Sequence, residues 1–248
     1  MIKLTIALIA IFNISCQSRS FYYDSVAMEG TIKRGSLIKY EPKKVIEKND
    51  IVVFDYYDKR LNKTFSTVLR VVGVPGDEVL FKNGELLVNG NSFGFPDTYQ
   101  LSYVVKVKNT FDWNLLNDYS SRLYGGENIR LFFLNYSEYK NIENKKIVDS
   151  IVRVKGDSAF IEKQIVWNEA FNYFNGFYYG PLKIPAENVV IDDEIKKLLP
   201  ISNKFNVGDY LKEKLFFVVG DNLHWCYDSR DIGLIPESLI KGVIYKVN

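Results

Sequence analysis

A mainly β fold is predicted by two features of the sequence. The chain holds 17 Tyr and 17 Phe against 2 Met, and aromatic side chains favour a pleated, half-buried surface over a helical bundle. Short apolar runs bounded by tight-turn residues recur along it, the clearest bracketing Asn83-Gly84. Two residues that tolerate positive φ between apolar runs are a strong hairpin signal.

At the N-terminus Met1-Ile2-Lys3 precedes the run Leu4 to Ile14, apolar apart from Thr5 and Asn13. One positive charge before a short apolar stretch is the layout of an export signal. The run is about half of the ~20 residues that a membrane-spanning helix needs. Three readings stand open. In the first, Ser15-Cys16 is a lipoprotein cleavage site and Cys16 is lipidated, Asn13 departing from the usual pattern. In the second the segment stays as a short anchor, with the cluster Phe21-Tyr22-Tyr23 at the membrane surface. In the third the body is released. All three place it outside the cytoplasm.

The body divides into three stretches. In the first, strands are predicted at Ser36 to Tyr40, Asp50 to Tyr57, Thr67 to Val74, Glu78 to Lys82 and Glu85 to Val88. The middle is less regular, with strands at Leu101 to Lys108, Asn128 to Phe133, Ile147 to Val154 and Ala159 to Val166, and a short helix at Asp192 to Leu199 ended by Pro200. In the last, Leu215 to Val219 and Gly242 to Val247 enclose a polar loop. The expected domains are residues 1–20 as signal or anchor, 21–90 with 210–248 as a β core, and 91–209 as an insertion into it. Val152 to Asp157 faintly echoes Leu69 to Asp77, a similarity that two β-hairpins share by chance more readily than by repetition.

Composition narrows the function. The 248 residues, 47% hydrophobic and 25% charged, suffice for a sizeable core. Lys+Arg 32 against Asp+Glu 30 leaves +2, too balanced for a protein that neutralises many phosphates, so nucleic acid is not an expected partner. Two cysteines, Cys16 and Cys226, and the single His224 cannot supply the usual four zinc ligands or a disulfide framework. Neither a metal nor a cofactor is expected.

Three segments carry the rest of the argument. They are Ser25-Val26-Ala27-Met28-Glu29-Gly30-Thr31-Ile32-Lys33-Arg34-Gly35, then Leu69-Arg70-Val71-Val72-Gly73-Val74-Pro75-Gly76-Asp77-Glu78-Val79, then Phe217-Val218-Val219-Gly220-Asp221-Asn222 followed by Cys226-Tyr227-Asp228-Ser229-Arg230 and Gly233. Singly these are turn and loop signals. Together, in order and spacing, they resemble the bacterial type I signal peptidases, or leader peptidases. Those are membrane-bound serine-lysine endopeptidases that remove signal peptides during protein secretion. Asp50 to Phe54, Val88-Asn89-Gly90 and Ile235-Pro236 fit as well. The resemblance implies a signal-peptidase-like antiparallel β fold with an irregular inserted subdomain and few short helices.

The family's reaction needs a hydroxyl activated by a lysine of lowered pKa. By the resemblance, the nucleophile position is Ala27 and the base position is Leu69. A methyl group cannot attack a carbonyl, and an isobutyl group cannot take a proton. Met28 and Thr31 fix the register of the first block, and Arg70 with Gly76-Asp77 fixes the second. Cys226 stands where the family has a serine that orients the lysine, and Gly30 replaces a proline. Ser25 matches the serine that helps form the oxyanion hole, with Met28 beside it. Arg70, Asp221, Asn222, Ser229, Asp228 and Arg230 match positions that support the site, the last two as an arginine-carboxylate pair suited to locking a loop.

Several alternatives stay open at this stage. Ser25 is read as a turn residue with Asp24, as a retained oxyanion contact, or as a displaced nucleophile, since a shift of two residues keeps strand facing. His224 and Cys226 form either a dyad or an ordinary loop histidine beside a buried thiol. Trp225 and the aromatic middle serve as core and edge packing or line an apolar peptide groove. Strand addition needs only a sheet edge and pockets, so peptide binding does not depend on the nucleophile. The first expectation is therefore an inactive homologue on the outer face of the cell membrane. It is held there by lipidated Cys16 or a short anchor, contacts lipids through its N-terminus, and binds signal peptides or exported and envelope proteins. An active signal peptidase using Ser25 with an unidentified base is the second, and a structural envelope lipoprotein the third.

Overall fold

The computed structural model describes residues 19–42, 45–58, 61–94, 97–117, 119, 121–123, 127–154, 177–199, 205–223 and 225–248. Leu4 to Ile14, Cys16, Lys155 to Asp157, the predicted strand Ala159 to Val166, Pro200 and His224 lie outside the described residues. Among the described residues no helix is long and apolar enough to cross a membrane.

The chain is mainly antiparallel β, as its aromatic and turn content predicts. The first strands are β1 (Arg19–Tyr22), β2 (Leu37–Glu41), β3 (Ile51–Asp58), β4 (Lys63–Gly73), β5 (Glu78–Lys82), β6 (Glu85–Val88) and β7 (Asn91–Ser92). The middle contributes β8 (Leu101–Val107), β9 (Ser121–Leu123), β10 (Ile129–Leu134), β11 (Val148–Arg153) and β12 (Tyr179–Lys183). The last are β13 (Leu215–Val219), β14 (Ile235–Pro236) and β15 (Ile240–Val247). The α-helices are α1 (Tyr136–Glu143), α2 (Asp193–Leu198) and α3 (Ser229–Ile232).

Three antiparallel sheets result. One has seven strands in the order β1-β2-β15-β3-β4-β13-β14, and the others have four each, β12-β5-β6-β7 and β11-β8-β10-β9. The β5–β6 hairpin turns on Asn83 (φ 54°) and Gly84 (φ 72°), the pair of left-handed residues that a two-residue hairpin of right-twisted strands demands. Val52, Val53, Phe54, Val68, Leu69, Val71, Phe216 and Val218 form a fully buried cluster in the seven-stranded sheet.

Several elements depart from expectation. The cluster Phe21-Tyr22-Tyr23 does not gather on one surface. Phe21 packs edge-on to Tyr40 at 6.1 Å, Tyr23 is 2% exposed and Tyr22 73% exposed, because side chains alternate along an extended chain. Strand β4 reaches back to Lys63, earlier than the predicted Thr67, pairing Lys63 to Arg70 with Asp58 to Ile51. Helix α1 was not expected. It is opened by a capping box in which Asn135 accepts from the Glu138 N–H and Glu138 accepts from the Asn135 N–H, both at 2.9 Å.

Candidate functional site

The three sequence blocks converge where the segments that follow β1 and β13 meet Leu69 and Arg70 within β4. Strand β13 pairs with β4 so that Val219 faces Arg70 and Val218 faces Val71. A Cβ at Gly220 would lie 2.5 Å from the Ala27 carbonyl oxygen and 2.5 Å from Cys226 Cβ, so only glycine lets these two backbones close on each other. The Asn222 N–H donates to Ala27 O (2.9 Å) and Asn222 Nδ2 to Val26 O (3.2 Å). Ala27, Met28, Leu69 and half-buried Cys226 thus belong to one apolar cluster.

At Ala27 the side chain is a methyl group, 5% exposed, and Leu69 is wholly buried among Val, Phe and Met side chains. Neither holds a lone pair that could attack a carbonyl or accept a proton. Around them the hydrogen bonds close inward. The Ala27 N–H donates to Ser25 Oγ (3.1 Å) and the Met28 N–H to the Tyr23 hydroxyl (2.8 Å). Burial pushes the Tyr23 phenol up to about 12, against the opposing hydrogen bonds from Ser25 and the Met28 backbone. It stays protonated at neutral pH and cannot activate Ser25 as a base. Burial, joined by Asp228, also pushes the Cys226 thiol well above its ordinary value while Arg230 opposes. That thiol donates to Asp228 Oδ2 (2.8 Å), and a protonated thiol is a poor nucleophile.

Two buried ion pairs frame this apolar centre. Arg70 Nε and Nη2 donate to Asp221 Oδ1 (2.8 Å) and Oδ2 (2.6 Å), and Arg70 Nη1 donates to Asn49 O (3.0 Å). Thr31 Oγ1 donates to the same Asp221 carboxylate and meets Thr98 Oγ1 at 2.7 Å. Arg230 Nε and Nη2 donate to Asp228 Oδ1 (2.9 Å) and Oδ2 (2.8 Å), and Nη2 also to Leu223 O (2.6 Å). Asp228 caps α3 by accepting the Arg230 N–H (3.0 Å), while Ser229 Oγ accepts from the Val218 N–H (2.9 Å). Planar bidentate contacts of this kind hold geometry without supplying a reacting atom.

Some residues of the site carry no motif. Tyr23 precedes the first block, and Thr98 with Gln100 comes from the middle stretch. The Gln100 N–H donates to Asp221 O (2.9 Å). The Thr98 carbonyl oxygen lies 2.2 Å from where a Cβ on Gly30 would sit, and Gly30 has φ 98°. Proline, held near φ −65°, cannot take that conformation, so Gly30 suits both its own backbone and the close approach of the middle stretch to this loop. Trp225 packs edge-on to Phe133 of β10 at 5.6 Å.

One further feature bears on ligands. Beyond Arg70 toward Lys63, β4 pairs with β3 on one side, and no strand among the described residues pairs with its other edge. Among the described residues strand β1 likewise pairs with β2 alone. The loop that continues β1 brings Ala27 into one buried cluster with Leu69 of β4.

Residues 1–247 match the sequence profile of the family described as signal peptidase, peptidase S26. Among solved structures the chain is similar to a signal peptidase I from Enterococcus faecalis V583, with 15% identity over 82% of this chain and 98% of that one, at a TM-score of 0.35. Comparison with curated proteins finds no match.

Proposed function

Because the chain belongs to the signal peptidase family, we propose that it binds signal peptides or other exported segments at the outer face of the membrane without cutting them. The observation that carries this reading is that no strand among the described residues pairs with the outer edge of β4 from Lys63 to Leu69, while the side chains at both reacting positions, Ala27 and Leu69, are apolar. An extended peptide gains main-chain hydrogen bonds from such an edge and specificity from its alternate side chains. Cleavage needs more. Removing all triad members of a serine protease costs on the order of a millionfold in turnover, too much for a processing enzyme.

A retained Ser25 does not rescue catalysis in this reading, because its neighbours are the Ala27 N–H and a phenol that stays protonated. Attachment to the membrane runs through the N-terminus, by a lipid on Cys16 or by the apolar run itself. Cys16→Ser abolishes acyl labelling in the first case and leaves membrane attachment intact in the second.

The test uses the full chain in detergent with an Ala-x-Ala signal peptide labelled at both ends. Saturable binding without product supports the reading. Product that disappears in Ser25→Ala overturns it in favour of a displaced nucleophile, and absence of binding overturns it in favour of a structural envelope protein.

A further inference from the structure

The strand registers fix where each strand of the large sheet begins and ends relative to the others. Strand β1 starts at Arg19, opposite Tyr40 of β2. Val243 of β15 faces both Glu41 of β2 and Val52 of β3. Val52 therefore lies one step past the level of Arg19, on the side from which the chain enters β1. Strand β3 continues in that direction for six more residues to Asp58, which faces Lys63 at the start of β4. At about 3.3 Å per residue, the β3–β4 tip projects about 20 Å beyond the start of β1.

The chain ahead of β1 is shorter than this projection. Cys16 is three residues from Arg19, and Ile14, where the apolar run ends, is five residues from it. Fully extended, these links span at most about 11 Å and about 18 Å. An anchor at either place holds the start of β1 closer to the bilayer than the hairpin is long. With the strands along the membrane normal, the tip reaches the lipid before the tether is drawn out.

The tip carries side chains suited to that contact. Leu61 is 64% exposed and Tyr57 45%, and the Tyr57 hydroxyl donates to Asn62 Oδ1, which ties its ring to the turn. Behind them Tyr56 and Phe65 stack with centroids 5.9 Å apart, and Lys63 Nζ lies 5.4 Å from the Phe65 centroid. Tyrosine favours the membrane–water interface, and a lysine buries its stem there while its ammonium stays among the headgroups. The exposed ring of β1, Tyr22 at 73%, pairs with Leu37 at the other end of the strand, away from the tip.

We propose that the β3–β4 tip, through Leu61 and Tyr57, sits in the headgroup layer of a phospholipid bilayer as a second point of attachment. One point of attachment leaves the sheet free to tilt, and a second fixes its angle to the membrane. The inference rests on the N-terminal membrane attachment proposed above and adds to it a lipid contact within the folded body.

The experiment reconstitutes the full chain into vesicles of phosphatidylethanolamine and phosphatidylglycerol. Leu61→Cys and Tyr22→Cys chains each carry an environment-sensitive fluorophore, the unaltered chain treated alike is the blank for Cys16 and Cys226, and doxyl-labelled phospholipid is the quencher. Quenching at Leu61→Cys is expected to be about threefold stronger than at Tyr22→Cys, because an interfacial side chain reaches the acyl boundary and one at the far end of the strand does not. Equal quenching at the two places, or stronger quenching at Tyr22→Cys, overturns the inference while vesicle-bound protein leaves the N-terminal attachment standing. Blue-shifted emission at Leu61→Cys without quenching puts the tip against protein and also overturns it. A chain that does not stay with the vesicles overturns the attachment reading and the inference with it.

Discussion

Leu69 and Arg70 are neighbours on one strand, yet each belongs to a different part of the site. Leu69 joins Ala27 and Met28 in a centre without a charge or a reactive hydroxyl. Arg70 joins Asp221, and Asp228 joins Arg230, in buried bidentate pairs whose side chains are at most 9% exposed. The apolar centre is where the family's chemistry is expected and the polar frame is where its loops are held. The difference teaches that holding the loops and reacting are separable demands. A frame of buried charges cannot lose one partner without leaving the other unpaired, whereas a buried serine or lysine gives way to Ala or Leu with a gain in packing and no stranded charge.

The sharpest way to break this contrast is to cut the frame. Arg70→Ala should cost about 3–5 kcal/mol by stranding Asp221 in the interior, seen as a fall in the urea midpoint. The converse substitution, Leu69→Lys, inserts a charge into the apolar centre. It should destabilise at neutral pH by several kcal/mol on the order of the penalty for a buried unpaired ammonium, and the loss should shrink as pH rises toward 10, because the neutral amine is easier to bury. A urea series at several pH values reads both the size and the slope.

Smaller effects sharpen the picture of the loops. Gly30→Ala forces a side chain into φ 98° and onto the Thr98 carbonyl, and about 2 kcal/mol of lost stability is expected by thermal unfolding. Asp77 lies in the turn after β4. Burial tends to raise its carboxyl, but the Val74 N–H, Asn89 and Lys48 together bring it below the usual value. A carboxylate whose folded pKa is depressed contributes stability above its unfolded value, so this contribution is lost as pH falls below about 4. Asp77→Asn should flatten the acid limb of the stability curve by roughly 1 kcal/mol.

Much of the fold is legible in the sequence where local rules and tertiary structure agree. Strands Glu78–Lys82, Glu85–Val88 and Leu215–Val219 fall on their predicted residues, the first two because Asn83-Gly84 fixes the turn. Helix α1 was missed although Asn135 and Glu138 carry its capping signal. Strand β12 has no counterpart among the predicted strands; it contains Gly180 and Pro181, residues that weaken a strand, and pairs with β5 through a register shift. In the site, the loops around Ala27, Leu69 and Asp221 are visible as short motifs. Thr98 and Gln100 are not, since a single long-range contact from an irregular stretch leaves no periodic trace.

The most direct measurement follows one sample of the full chain, in detergent, with an end-labelled signal peptide, reading anisotropy and cleavage together, beside the double variant Ala27→Ser, Leu69→Lys. Binding by the unaltered chain with no product over many hours is the predicted result. Product from the unaltered chain, abolished by Ser25→Ala, would contradict the account by placing a working nucleophile at Ser25, two residues before Ala27.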